Sequence, residues 1–270
     1  MTTHKNFNTK YRKEIINFFL NIIIKILNRE NNLITKKIKY ISKKKYFTDP
    51  VTKFDISIER KIRKYIIKKF PKHNIFGEEL EDISNNSNYN WFIDPIDGTK
   101  ALIAGQPTWS NLIGFNYKNI PQLGLANYPI LKKFYFSDGK KSYLIENNNK
   151  KLIRSSSTLK LENSYLVTNS IHTFKNKKVF NFFKNYKFLF KITGVDSYNF
   201  CLLAEGKIDI IIESGLKKHD IIPVLPILLN SGAVISDWKG GNNYLTGEVI
   251  VSANKKLHKK FLNFLNQKIK

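Results

Sequence analysis

Two carboxylates leave the end of an apolar run three residues apart, in Trp91-Phe-Ile-Asp-Pro-Ile-Asp-Gly-Thr99, with a proline between them. The proline turns Asp94 and Asp97 toward one point, where they suit a hard divalent cation. Magnesium demands near-octahedral oxygen ligands, keeps several waters, and completes its shell with a few carboxylates and a substrate phosphate. Glu78, from Gly77-Glu-Glu79, and the isolated Asp220 are the further carboxylate candidates, and the Ile96 carbonyl, held by the turn after Pro95, is another oxygen. Gly98 and Thr99 fall where a turn opens a helix from Lys100 onward. Their N–H groups and the helix dipole favour a bound phosphate beside the metal.

Taken alone, Asp-Pro-Ile-Asp-Gly equally fits a plain turn, since Pro, Asp and Gly each favour turns for their own reasons. Glu78 follows a short apolar segment after Phe70-Pro71, and Asp220 follows the polar stretch Lys217-Lys-His219. Three acidic clusters at strand ends point to a shared cation more than to unrelated turns.

The chain of 270 residues is 42% hydrophobic, enough to bury a sizeable core in one large domain or two compact halves. A single cysteine excludes an internal disulfide framework and fits a reducing cytoplasm. The net charge of +25 comes from 46 Lys and Arg scattered end to end among many Asn and Ile, against 21 Asp and Glu. A nucleic-acid binder would show a clustered basic stripe or stacking aromatics in a known module. Neither is evident, so nucleic acid is not the expected partner, and the field is read as steering anionic phosphates instead. The apolar run Ile15 to Leu27 is interrupted at spacing four by Asn17, Asn21 and Lys25. It falls short of the ~20 residues of a membrane span and reads as an amphipathic helix, with no membrane partner expected. No small-residue cleavage site of a signal peptide follows it.

After a polar start over residues 1–10, helices are expected over Tyr11 to Asn28 and over Asp55 to Phe70, the second carrying Ile58, Ile62, Tyr65 and Ile66 and closing at Pro71. Asp55, near the start of that helix, is either a first-turn charge or part of a site. Turn signals at Lys118-Asn119, Pro129, Asp138-Gly139 and residues 147–149 then punctuate alternating strands, an antiparallel meander. From Ser164 the pattern becomes α/β: strands Ser164 to Thr168, Phe188 to Ile192, Ile208 to Ile212 and Val249 to Ser252, with helices Lys175 to Phe183, Ser197 to Glu205, Ile222 to Asn230 with Gly232 as C-cap, and a basic terminal helix. The expected class is therefore α+β followed by α/β. Residues 1–150 carry most metal ligands and residues 151–270 carry Asp220 and the substrate side, in one compact catalytic unit with the site at the junction.

Together, Gly77-Glu-Glu79, Asp94-Pro-Ile-Asp-Gly-Thr99 and Asp220 resemble the inositol monophosphatase superfamily of magnesium-dependent, lithium-sensitive phosphatases, over nearly the whole chain from about residue 11. The resemblance implies a layered αβαβα sandwich, two or three Mg2+ ions and a homodimer. By it, Glu78, Asp94, the Ile96 carbonyl, Asp97 and Asp220 correspond to metal ligands. Asp55 and Thr99 correspond to the pair that orients and deprotonates the attacking water, Glu79 to a supporting group, and Gly98 and Thr99 contact phosphate.

Asp94 to Gly105, Gly194-Val-Asp-Ser-Tyr198, Glu213-Ser-Gly-Leu-Lys217, His219-Asp220 and Asp237-Trp-Lys-Gly240 are most similar to the histidinol-phosphatase branch. Inositol monophosphatases usually carry a small residue where Asp196 stands, and a Trp where His219 stands. Histidinol phosphate bears an ammonium and an imidazole, which carboxylates at Asp196 and Glu213 would suit through charge-assisted bonds. Asp196 equally fits a cap for the helix after it. An inositol phosphate or 3′-nucleotide phosphatase is the alternative. Departures from the family are Lys53-Phe54 before Asp55 and the basic Lys43-Lys-Lys45 approach. Cys201, in an apolar helix, reads as core. His172 and His219 fall near the site as solvated or supporting groups, and His4, His73 and His258 read as surface residues.

Overall fold

The computed structural model describes residues 7–34, 38–42, 50–147, 149–174 and 176–269. The expected first helix is one continuous helical run broken by a π turn: α1 (Thr9–Phe18), the π segment Phe19–Ile23 and α2 (Ile24–Asn31). Its exposed side is the one marked by Asn17, Asn21 and Lys25. Among the described residues, no helix is long and apolar enough to cross a membrane. A two-stranded ribbon, β1 (Tyr40–Ser42) and β2 (Pro50–Thr52), leads into α3 (Lys53–Lys69), which starts two residues earlier than expected because Thr52 caps it. The Lys43-Lys-Lys45 approach, His4 and Lys175 lie outside the described residues.

Seven strands follow: β3 (Asn74–Gly77), β4 (Tyr89–Asp97), β5 (Ser110–Tyr117), β6 (Ile120–Tyr128), β7 (Lys133–Ser137), β8 (Ser142–Glu146) and β9 (Asn149–Leu152), with α4 (Thr99–Ile103) between β4 and β5. They form one sheet in sequence order, antiparallel except for β3 beside β4. The second sheet has order β11-β10-β12-β14-β13, from β10 (Tyr165–Thr168), β11 (Phe190–Thr193), β12 (Ile210–Glu213), β13 (Val234–Ser236) and β14 (Val249–Ser252). Between these strands run α5 (Lys177–Asn185), α6 (Tyr198–Ala204), α7 (Lys218–Ile221) and α8 (Leu225–Ser231), and α9 (Lys255–Ile269) closes the chain. Gly232 ends α8 in the left-handed conformation, φ 104°, as the sequence indicates.

Alternation along the strands sorts side chains into layers. Trp91, Ile93, Ile113, Phe115, Leu123 and Leu125 pack against α1 to α3. The opposite face, with Phe92, Leu112, Ala126 and Tyr128, meets α6, α8 and one side of the second sheet through Val167, Ile211 and Val251. The far side of that sheet, Leu166, Ile210, Ile212 and Ile250, is covered by α5 and α9. The result is the αβαβα sandwich. Cys201 is fully buried in the middle layer.

The middle junction is unusually close. Gly114 and Gly124 lie directly opposite each other on β5 and β6. A Cβ at Gly124 would stand 2.0 Å from the Pro223 carbonyl, and one at Gly114 3.0 Å from Pro223 Cα. The paired glycines thus form a notch that seats the chain between α7 and α8 on the first sheet, three residues beyond Asp220.

Two histidines read as surface residues are buried instead: His73 is 4% and His258 7% exposed. His73 stacks between Phe70 and Tyr89, each ring 4.8 Å away, accepts a hydrogen bond from Trp91 Nε1 at 2.9 Å, and meets the Tyr11 hydroxyl at 2.7 Å. His258 sits between the hydroxyls of Ser252 and Ser236. Burial lowers the pKa of each to about 4. Tyr65, by contrast, is 44% exposed, so the buried apolar residues of α3 are Ile58, Ile62 and Ile66.

Candidate metal and phosphate site

β4 reaches its carboxylates through a bulge. Asp94 pairs with Leu112 and Asp97 with Ser110, so Pro95 and Ile96 together oppose the single residue Asn111. Such an irregularity re-aims side chains locally. Asn111, fully buried, donates to the Pro95 carbonyl at 2.6 Å, while its own Oδ1 accepts from Asn127 at 2.8 Å and Asn31 at 2.9 Å. The bulge is therefore fixed from three elements. Gly98 follows with φ +76°, a conformation that suits glycine, and opens α4.

Glu78 sits in the loop after β3, which a buried ion pair on α3 holds in place. Arg63 and Glu59 meet at 2.7 Å with side chains 6% and 0% exposed. Arg63 donates to the carbonyls of Leu80 and Glu81, while Glu59 accepts from the backbone N–H groups of Glu79 and Leu80. Asp55, Glu59 and Arg63 form a polar stripe at spacing four beside the apolar one. Glu79 supplies its N–H to this clamp and is not among the residues lining the cleft.

Asp55 closes a capping box, accepting from the Thr52 N–H at 2.9 Å and the Thr52 hydroxyl at 2.5 Å. It also faces the site: Thr99 Oγ1 lies 3.3 Å from Asp55 Oδ1 and 3.0 Å from the Ile96 carbonyl. Asp55 is therefore both the cap acceptor of α3 and a neighbour of Thr99. Asp220 arrives on α7, where its Oδ2 accepts from the Lys217 N–H at 2.6 Å. Asp97 is tied to the second sheet's side by the Ser197 N–H at 3.1 Å.

These groups surround a cleft of about 280 Å³ lined by Glu78, Asp94, Ile96, Asp97, Gly98, Thr99, Asp196, Glu213 and Asp220, among others. Carboxylate oxygens of Asp94, Asp97 and Asp220 lie within 4.8 Å of one another. Asp94 is 1% exposed, and its Oδ1 has no hydrogen-bond partner among the described residues. Burial raises the Asp94 carboxyl well above the usual range, and Glu78, Asp97, Asp220 and Asp55 raise it further. Asp97 is raised by burial and then by Asp196 and Asp220, and Asp220 by burial and Glu78 against the opposing pull of His219 and Lys217. Glu78 departs from this pattern. Burial raises it too, but His219 and Lys217 outweigh that and hold it below the carboxylate range. Crowded, dry carboxylates of this kind are stabilised as anions by a divalent cation, so the residues fit Mg2+.

On the other wall, Asp196 does not cap α6: Ser197 occupies the cap position and no side chain bonds there. Asp196 Oδ1 instead accepts from Asn169 Nδ2 at 2.8 Å, and its N–H donates to Asn169 Oδ1 at 3.2 Å. Glu213 accepts from the Asn169 backbone N–H. Asn169 thus bridges Asp196 and Glu213, a contact the sequence did not suggest. Val195 and Asp196 both have positive φ, 73° and 44°, a strained turn that brings Asp196 against Gly98. Burial, followed by Asp196 and Asp97, raises the Glu213 carboxyl to about 8. The side chain of His172 lies outside the described residues.

Stacked helix and sheet layers around a carboxylate cleft define a phosphatase of the αβαβα type. The chain belongs to the inositol monophosphatase family, whose sequence profile matches residues 13–270. It is 36% identical over 212 residues to the chloroplastic bifunctional phosphatase IMPL2 of Arabidopsis thaliana, covering 75% of this chain and 60% of that protein. It is 30% identical to the histidinol-phosphatase of Chlorobaculum parvum (76% and 79% covered), and 30% identical to the Nus factor SuhB of Haemophilus influenzae (92% and 96%). An inositol monophosphatase structure from Zymomonas mobilis superposes with TM-score 0.79 at 26% identity, covering 96% of this chain and all of that one.

Proposed function

We propose that this protein is a Mg2+-dependent histidinol-phosphatase, hydrolysing L-histidinol phosphate to L-histidinol and phosphate. The observation that carries the substrate is Asp196, held by Asn169 on the wall of the cleft and released from helix capping. A carboxylate placed there suits a leaving group that carries an ammonium, whereas a neutral polyol gains little from it. One named relative, the histidinol-phosphatase, supports this reading.

Glu78, Asp94, Asp97, Asp220 and the Ile96 carbonyl would hold the ions, of which the family resemblance implies two or three. Bound there, Mg2+ supplies charge neutralisation of the phosphate dianion, activation of water and stabilisation of the departing alkoxide. Thr99 Oγ1 and Asp55 Oδ1, 3.3 Å apart, form the proton path away from the attacking water. The N–H groups of Gly98 and Thr99 face the phosphate at the start of α4. Asn169 orients Asp196 and Glu213 for the leaving group.

The test is phosphate release with Mg2+ from histidinol phosphate, inositol 1-phosphate and 3′-phosphoadenosine 5′-phosphate, compared as kcat/KM. A preference of about a hundredfold for histidinol phosphate, about 2.7 kcal/mol at the transition state, is expected. A flat profile, or a preference for the inositol ester, refutes the substrate and leaves the phosphatase.

A further inference from the structure

His219, on α7 next to Asp220, lies behind the cleft wall beside Phe76 and Phe92, with its side chain 14% exposed. Its Nε2 lies 3.5 Å from Glu78 Oε1 and 3.5 Å from Asp220 Oδ1, and has no hydrogen bond of regular geometry among the described residues. A buried ring nitrogen 3.5 Å from two carboxylates is satisfied either as a protonated imidazole paired with them or as a neutral ligand to a cation that all three share. Asp94 Oδ1, also buried, has the same deficit. Glu78, Asp94 and His219 each present one ligand atom, and the three atoms lie within 4.8 Å of one another. Ligand atoms around one small divalent ion stand about 3–4 Å apart, so small side-chain shifts close this set on a single ion. Lys217 Nζ, 2.9 Å from Glu78 Oε1, is the local cation that would yield its place, and its side chain is half exposed.

We propose that His219 Nε2 is a ligand at this centre, which gives it two unlike metal positions. One is mixed nitrogen and oxygen, from Glu78, Asp94 and His219; the other is all oxygen, from Asp94, Asp97 and Asp220. Imidazole suits Zn2+, Ni2+ and Cu2+, whereas carboxylate and water ligands suit Mg2+ and Mn2+. The protein therefore binds one borderline transition-metal ion in preference to Mg2+ at the His219 position. This rests on the metal-dependent reading above but not on the identity of the substrate.

The test uses the full chain with Mn2+ as the paramagnetic probe and Zn2+ and Mg2+ for affinity. Pulsed electron paramagnetic resonance of the Mn2+-loaded wild type is expected to show a directly coordinated 14N, lost in His219→Phe. Calorimetric titration is expected to show Zn2+ affinity falling about tenfold or more in that variant, with Mg2+ affinity much less changed. His219→Gln, which keeps a polar side chain but no imidazole, should lose the nitrogen signal as well and serves if the Phe variant does not fold. A wild type without 14N coupling, a coupling retained in both variants, or equal losses for Zn2+ and Mg2+ each overturns the assignment. Any of these with phosphatase turnover intact removes His219 alone, whereas a wild type that binds no divalent ion removes the metal-dependent reading too.

Discussion

Replacing Arg63 with Met tests whether the clamp on α3 sets the metal site. Arg63 loses its 2.7 Å contact with Glu59, whose side chain has no exposed surface, and its bonds to the carbonyls of Leu80 and Glu81 at 2.9 and 2.6 Å. Breaking a buried pair by removing one partner costs about 3–5 kcal/mol, because the other charge is left desolvated. The two carbonyls belong to a half-buried loop and regain water, so they add little, and about 4 kcal/mol is expected in total. For a chain of this size that is about 10 °C in Tm. Urea unfolding followed by Trp fluorescence measures it. Because Glu78 rides on the released loop, the Mg2+ concentration for half-maximal activity should rise at least about fivefold while the protein is still folded. Adding Glu59→Leu should recover part of the stability, since no charge is then orphaned, but not the metal affinity, because the Glu79 and Leu80 N–H groups then lose their acceptor as well. A single variant within about 1 kcal/mol of wild type, or a double variant as unstable as the sum of the singles, refutes the reasoning.

Asp196→Ala is expected to raise KM for histidinol phosphate at least about tenfold while barely changing that for a neutral phosphomonoester; equal effects on both would return Asp196 to a purely structural role. His73 takes up a proton in the unfolded chain near pH 6.5 but only near pH 4 when folded, so its contribution is complete above pH 6.5 and is lost as pH falls toward 4. The loss is about 3 kcal/mol, and His73→Gln should flatten the pH dependence of unfolding by about one proton in that window; unchanged slopes would contradict it. Gly124→Ala places a methyl 2.0 Å from the Pro223 carbonyl, so a loss of several kcal/mol and weakened Mg2+ binding are expected by calorimetry. Normal metal affinity there would show that the notch does not position Asp220.

The first-sheet meander, the α/β second half and the carboxylates of the cleft were legible because each rests on local chemistry: turn residues, period-two alternation, and a proline between two aspartates. What escaped was long-range. Asn111 braces the bulge through a carbonyl 16 residues away in sequence, and Glu59 and Arg63 brace a loop some 20 residues on. Spacing four from Asp55 did place both on one helix face, a signal that was available and unused. His73 and His258 were misjudged because their burial depends on partners far along the chain, Tyr11 for the one and Ser236 for the other. The π turn within the first helical run has no counterpart in its periodicity, which reads as a single helix.

The glycine notch has a consequence for the order in which this protein can be made. Asp94 and Asp97 emerge from the ribosome well before Asp220, and the strand face bearing Leu112, Ala126 and Tyr128 has no cover until α6 and α8 follow. A nascent chain that has finished the first sheet therefore carries a broad apolar face and a half-built, mutually repelling carboxylate cluster at the same time. Such a species is prone to association until the last third is synthesised. Once Pro223 seats between Gly114 and Gly124, one docking step covers that face and delivers Asp220. On the proposed metal site, the ligand set is complete only after that step, and a truncated chain ending before it would expose this face.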